Sequence, residues 1–204
     1  MGDGMMQKLA LLFAIAAACA TMAAAQGGAA QSTAASSPPL RGELALDYSY
    51  VHTNAPPGGC TCFGLNGGSA TFAWPVRARG FALAGDVTAG HAGSIGGTRS
   101  TLTLSTYTAG PRYLLKLGRK EGGSPLVSFG EVLVGAAYAS GPLVLGQKPG
   151  VAFATNIGGG VDEVLSPRLS FRLVEATYLL TAVNNGVNQR QNNLRLSAGI
   201  VMHF

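Results

Sequence analysis

"LRLSAGIVMHF", residues 194–204, alternates along its whole length. Leu194, Leu196, Ala198, Ile200, Met202 and Phe204 fall on one side of an extended chain, and Arg195, Ser197, Gly199, Val201 and His203 on the other. A side-chain period of two marks a β-strand whose faces meet unlike surroundings. The apolar side runs to an aromatic final residue, without the polar tail in which most domains fray.

The rest of the chain sets the terms for that strand. Its 204 residues carry a net charge of +5, with 11% charged residues and a mean hydropathy of +0.27. That is enough chain for one domain but too few charges for an ordinary soluble one. After Lys8, the run "LALLFAIAAACATMAAAQ" closes on Ala23 and Ala25 at A-x-A spacing, so 1–25 reads as a secretory signal peptide. Its short core, with no basic residue beyond it, argues against a membrane anchor. Residues 26–40 are almost wholly Gly, Ala, Ser, Thr, Gln and Pro and are expected to form a flexible linker, leaving 41–204 for the fold. No later stretch reads as a membrane helix: "VLVGAAYASGPLVLGQ" is broken by Gly and Pro and alternates.

Working back from the C-terminus, the same alternation recurs in "ELALDYSYVHT", "SATFAWPVR", "GFALAGDVTAGH", "TLTLSTYTAGPRYLLKL", "LVSFGEVLVGAAYA", "GVAFATNIGGGVD" and "RLSFRLVEATYLLT". One face collects Tyr48, Trp74, Val87, Tyr107, Val132 and Ile157. The other carries Asp47, Asp86, Arg112, Glu131, Asp162, Glu175 and Arg195 among Ala, Gly, Ser and Thr. The second face has too little bulk for a polar exterior and too much charge for an apolar core. It suits a narrow lumen in which opposite charges satisfy one another, while the first meets lipid. The fold expected is all-β: a closed, eight-stranded, antiparallel, up-and-down transmembrane β-barrel.

Two irregularities stand out. Arg172 and Glu175 differ in parity, so both point inward only if the strand bulges near Leu173 and Val174. Leu102 and Leu104 fall on the polar face of their strand, which predicts a bulge or a strand end emerging from the barrel. The connections around 54–67, 91–100, 140–150 and 183–192 are long, and those at 78–79, 118–124 and 163–167 shorter. That rhythm predicts external loops and periplasmic turns, with both chain termini in the periplasm.

The strand rhythm, together with "YSYVHTNAPPGGC", "TAGPRY", "VEATYLLT", "QNNLRLSAGI" and the terminal Phe204, resembles the OmpA-like transmembrane family of small outer-membrane β-barrel proteins. The resemblance covers the barrel and not a peptidoglycan-binding domain. It implies integral residence in the outer membrane and a role for Phe204 as a signal read by the outer-membrane assembly machinery.

The function expected is non-enzymatic, either envelope-structural or surface-interacting through the loops. A narrow pore for ions or small solutes and a lipid A-modifying enzyme are the alternatives. His52, His91 and His203 lie in no recognisable nucleophile motif, and neither cofactor nor metal is expected. Cys60 and Cys62 in "PPGGCTCFG" form a possible loop disulfide, with free thiols as the other reading. Arg77, Arg79, Arg119, Lys120 and Arg168 near the turns suit anionic headgroups, so outer-membrane lipids and lipopolysaccharide are the expected partners. Nucleic acid is not, and the barrel is expected to be a monomer.

Overall fold

A computed structural model describes residues 42–53, 62–76, 80–95, 101–118, 124–141, 150–183 and 189–204. They lie within the compact unit Leu40–Phe204. The expected signal peptide and linker, Cys60, and the basic residues Arg77, Arg79, Arg119 and Lys120 fall outside the described residues. The strands are β1 (Glu43–Thr53), β2 (Phe63–Pro75), β3 (Phe81–Ala92), β4 (Leu102–Gly118), β5 (Leu126–Ser140), β6 (Gly150–Ser166), β7 (Leu169–Thr181) and β8 (Gln191–His203).

Each strand pairs antiparallel with its sequence neighbours, and β8 returns to β1, closing the barrel in the order β1 to β8. Closure matters because an open sheet presents a row of unpaired N–H and C=O groups. At the seam Gly42 N donates to Phe204 O and Phe204 N donates to Gly42 O, both at 3.0 Å. The terminal alternation therefore belongs to a strand paired on both sides. Outside, Leu194, Leu196, Ile200, Met202 and Phe204 are exposed, while Arg195, Ser197 and Val201 are buried inside.

The break in β7 lies where its parity requires one. Arg172 pairs with Gly199 and Glu175 with Ser197, with a register shift between them. Leu173 and Val174 both face outward, and Arg172 and Glu175 are both buried. One extra residue thus turns two opposed parities into a shared inward direction.

Three expectations are corrected. The register of β4 against β3 runs without a shift from Leu102↔Ala92 to Tyr113↔Phe81, so Leu102 and Leu104 sit on no bulge. They point inward and join Val51, Leu65, Ile95 and Leu179 in an apolar cluster at the loop end of the barrel. Second, β2 begins at Phe63 rather than near Ser69, because Gly64 is covered: a Cβ there would meet Cζ of the Tyr50 ring at 2.7 Å. Third, β6 continues to Ser166, so its connection to β7 is a tight turn at Pro167 and Arg168 rather than a segment starting at 163.

Glycine in the inner wall makes room for large side chains crossing the lumen. A Cβ at Gly160 would stand 2.8 Å from Cζ of Phe129, whose ring lies inside the barrel, and 2.6 Å from the carbonyl oxygen of Val174. Gly85 has nothing within 4 Å of such a Cβ. Gly160→Val is therefore expected to destabilise the barrel by about 1–3 kcal/mol in urea unfolding, through overpacking against a backbone oxygen that cannot move aside. Gly85→Ala is expected to be neutral or slightly stabilising.

Candidate functional site: the filled lumen

The inner wall carries three layers along the barrel axis. Toward the short turns lies an ionic network, then a zone of Ser, Thr and Asn side chains, then the apolar cluster beneath the longer connections. The structure places all seven charged residues expected in the lumen there, each at 6% exposure or less: Asp47, Asp86, Arg112, Glu131, Asp162, Glu175 and Arg195.

The residue that joins them was not among the seven. Arg172 on β7 is fully buried at 0% exposure. Its Nε donates to Asp162 Oδ1 at 3.0 Å, and its Nη1 donates to Asp47 Oδ2 at 3.1 Å and to Glu175 Oε2 at 2.7 Å. One planar guanidinium thus ties β7 to β6 and, across the lumen, to β1. The signal that could have found it was the parity conflict with Glu175, which excludes Arg172 from the inner face unless the bulge is granted.

Arg195 makes a second crossing. Nη1 donates to Asp86 Oδ1 on β3 at 2.7 Å, Nε donates to Thr177 Oγ1 at 3.2 Å, and further bonds reach Thr88 Oγ1 and Glu175 Oε1. Thr71 and Thr88 hydroxyls donate to the Asp86 carboxylate at 3.0 and 2.9 Å. Glu175 therefore bridges Arg172 and Arg195. Arg112 makes a separate pair, its Nε donating to Glu131 Oε2 at 2.8 Å. Phe129 lies between the groups: Arg112 Cζ is 4.3 Å and Arg172 Cζ 4.6 Å from its ring centroid, so its π-faces hold guanidiniums where another carboxylate would lack a donor.

At the turn-end mouth the fold brings together three residues that the sequence does not group. Ser170 Oγ lies 2.8 Å from His203 Nε2, and His203 Nδ1 lies 3.7 Å from Glu43 Oε1. The order is that of a hydrolytic triad, but Ser170 is 1% exposed, and a nucleophile must reach a substrate carbon. His52 and His91 are on the outside, with His91 Nδ1 2.9 Å from Thr103 Oγ1. Cys62 is exposed just before β2, whereas Cys60, its partner in the possible loop disulfide, lies outside the described residues.

The outer face is the converse of the lumen. Tyr48 and Tyr178 donate to Asn66 and Asn192 Oδ1 at 2.6 Å, and these exposed pairs lie toward the loop end. At the turn end Phe72, Trp74 and Phe204 cluster across the seam with centroids 6.0–6.5 Å apart, and the rings of Phe81 and Tyr113 meet at a tilt of 58° with centroids 4.8 Å apart. Between the two belts the exposed residues are apolar, among them Leu46, Leu83, Val87, Val132, Val134 and Ile200. At about 3.3 Å per residue and a tilt of about 40°, the stretch from Asn66 to Trp74 spans roughly 20 Å along the barrel axis.

Removing Arg172 leaves three buried carboxylates short of a donor. Arg172→Ala is expected to cost about 3–5 kcal/mol in urea unfolding, whereas Arg168→Ala in the exposed turn changes little. Arg195→Ala combined with Asp86→Ala is expected to cost less than the two single losses summed, because no lone charge is left behind.

Comparison with known proteins matches the fold. No family model matches the chain, and no curated protein matches it. Among solved structures it is similar to Neisserial surface protein A, with a TM-score of 0.56 and 15% identity over 80% of this chain and 97% of that one. It is also similar to the attachment invasion locus protein Ail of Yersinia pestis, with a TM-score of 0.46 and 15% identity over 80% and 99% of the two chains. The outer membrane protein OprG of Pseudomonas aeruginosa gives a TM-score of 0.48 and 11% identity over 80% and 96%. At 15% identity the likeness to Neisserial surface protein A is one of architecture, and the architecture here is a closed, eight-stranded, up-and-down β-barrel.

Proposed function

We propose that this chain is an integral outer-membrane protein, an OmpA-like barrel with both termini on the periplasmic side. Its role is envelope structure or surface contact through the four longer connections, not chemistry or transport. The observation that carries the reading is the outer surface, where exposed Leu, Val, Ile and Phe side chains fill a band between two aromatic belts around a cylinder without strand edges. In water such a surface would aggregate, whereas in a bilayer it meets hydrocarbon while Tyr and Trp occupy the headgroup level. No helix among the described residues is long and apolar enough to cross a membrane.

The filled lumen supports a non-conducting barrel. A solute entering from the turn end meets the guanidinium–carboxylate network, and one entering from the loop end meets Val51, Leu65, Leu102 and Leu104. The buried Ser170 supports a non-enzymatic role. Phe204, 59% exposed beside Trp74, remains accessible as the residue read by the assembly machinery, and lipids with lipopolysaccharide are the proposed surroundings of the apolar band. Closure leaves no edge for another chain, in keeping with a monomer.

In planar bilayers the purified barrel is expected to give no steady conductance, and a fluorophosphonate probe is expected to leave Ser170 unlabelled. An open channel of constant size would favour the pore reading, and stoichiometric labelling the enzymatic one. Epitope tags inserted within 96–100 or 142–149 are expected to be accessible on intact cells and one within 119–123 is not; the opposite pattern reverses the orientation. Deleting Phe204 is expected to lower the amount of folded, membrane-embedded barrel several-fold, whereas an equal deletion near Ser36 leaves it unchanged.

A further inference from the structure

The charges described inside the barrel do not balance. Arg112, Arg172 and Arg195 face Asp47, Asp86, Glu131, Asp162 and Glu175, three positive against five negative groups, all at 6% exposure or less. Glu43 at the mouth adds a carboxylate 3.8 Å from Arg112 and 3.7 Å from the His203 ring. β2 contributes buried hydroxyls, Ser69 and Thr71, and no buried charge.

The imbalance is local. Arg112 and Glu131 form a pair, so the surplus belongs to the cluster in which Arg172 and Arg195 serve Asp47, Asp86, Asp162 and Glu175. Within that cluster Asp86, Asp162 and Glu175 have donors at both oxygens. Asp47 does not. Its Oδ2 accepts from Arg172, but Oδ1 is shielded from solvent and has no partner. Oδ1 lies on the β8 side, where a Cβ at Gly199 would stand 2.5 Å from it, an unused acceptor where negative charge is in excess. A buried carboxylate in that condition gains a proton or a counter-ion, because low dielectric penalises its bare charge.

We propose that Asp47 Oδ1 holds a small cation in the lumen, either a proton or a dehydrated alkali ion such as Na⁺. The bound charge supplies part of what the arginines lack. A proton makes Asp47 a donor through Oδ1–H while Oδ2 still accepts from Arg172. An alkali ion takes Asp47 Oδ1 as one of its oxygen ligands.

Both sources are read on the folded barrel in detergent micelles at neutral pH. For the alkali ion, NaCl is exchanged for N-methylglucamine chloride at equal ionic strength, the urea midpoint is followed, and rubidium is located by anomalous scattering in crystals. For the proton, infrared spectra of protein with ¹³C-labelled aspartate report any protonated aspartic acid carbonyl. The expected result is one of two signals in the wild type: a drop in midpoint without Na⁺ together with a rubidium peak beside Asp47, or a ¹³C-shifted carboxylic acid band. That signal is expected to be lost in Asp47→Asn and retained in Glu163→Gln. The wild-type measurements decide even if the Asp47 variant does not fold. Fully ionised aspartates together with indifference to Na⁺ would overturn the proposal, as would a signal that survives in folded Asp47→Asn.

Discussion

The interaction on which the barrel's interior depends is the grip of Arg172 on carboxylates from β1, β6 and β7. A narrow cylinder brings side chains from opposite walls into contact, so a long, flat cation can join strands that share no backbone ladder. Arg172 reaches Asp47 across the closure of the chain, a contact between residues 125 apart in sequence. It does so only because β7 carries one residue too many at Leu173 and Val174. With regular alternation, either Arg172 or Glu175 would project outward into the apolar band, and the link from Arg172 through Glu175 to Arg195 would be lost.

Inside and outside reverse the arrangement of a soluble protein. Burying ions is costly, and an ion pair offsets that cost only when its hydrogen bonds are satisfied. The lumen meets the condition at most positions by surrounding the charges with Thr hydroxyls and with the ring of Phe129, and by omitting side chains where bulk would intrude. Gly199 shows the omission at the seam: a Cβ there would collide with the Asp47 side chain that Arg172 needs. At the loop end the wall changes character, and apolar side chains close the cylinder without any ionic partner.

Much of this was legible in the sequence because period two is local and repeats in every strand. The tyrosines and Trp74 fell on the outer face, and seven charged residues fell on the inner one, from alternation alone. The bulge was legible because two charges of opposite parity could not both be sheltered otherwise. Arg172 escaped the set because parity without pairing does not say which of two conflicting charges turns. Leu102 and Leu104 misled for the opposite reason: apolar residues on a polar face suggested a shift in phase, when the lumen itself changes from ionic to apolar along its length. "FGLNGG" looked like loop because Gly propensity is a local signal, whereas the ring of Tyr50 that covers Gly64 comes from the neighbouring strand. The grouping of Ser170, His203 and Glu43 joins β7, β8 and β1, and no sequence spacing encodes it.

The shared inward direction of Arg172 and Glu175 requires that Leu173 and Val174 both meet lipid. In a background with Cys60 and Cys62 replaced by serine, fluorescent probes are attached to single cysteines introduced at Ser170, Leu173, Val174, Ala176 and Thr177 in barrels reconstituted into bilayers. A quencher carried on the acyl chains is expected to reach probes at Leu173, Val174 and Ala176 and to spare those at Ser170 and Thr177. Strict alternation through the segment, with Thr177 quenched alongside Leu173 and Val174 spared, would remove the bulge, return Glu175 to the lipid face and contradict the lumen described here.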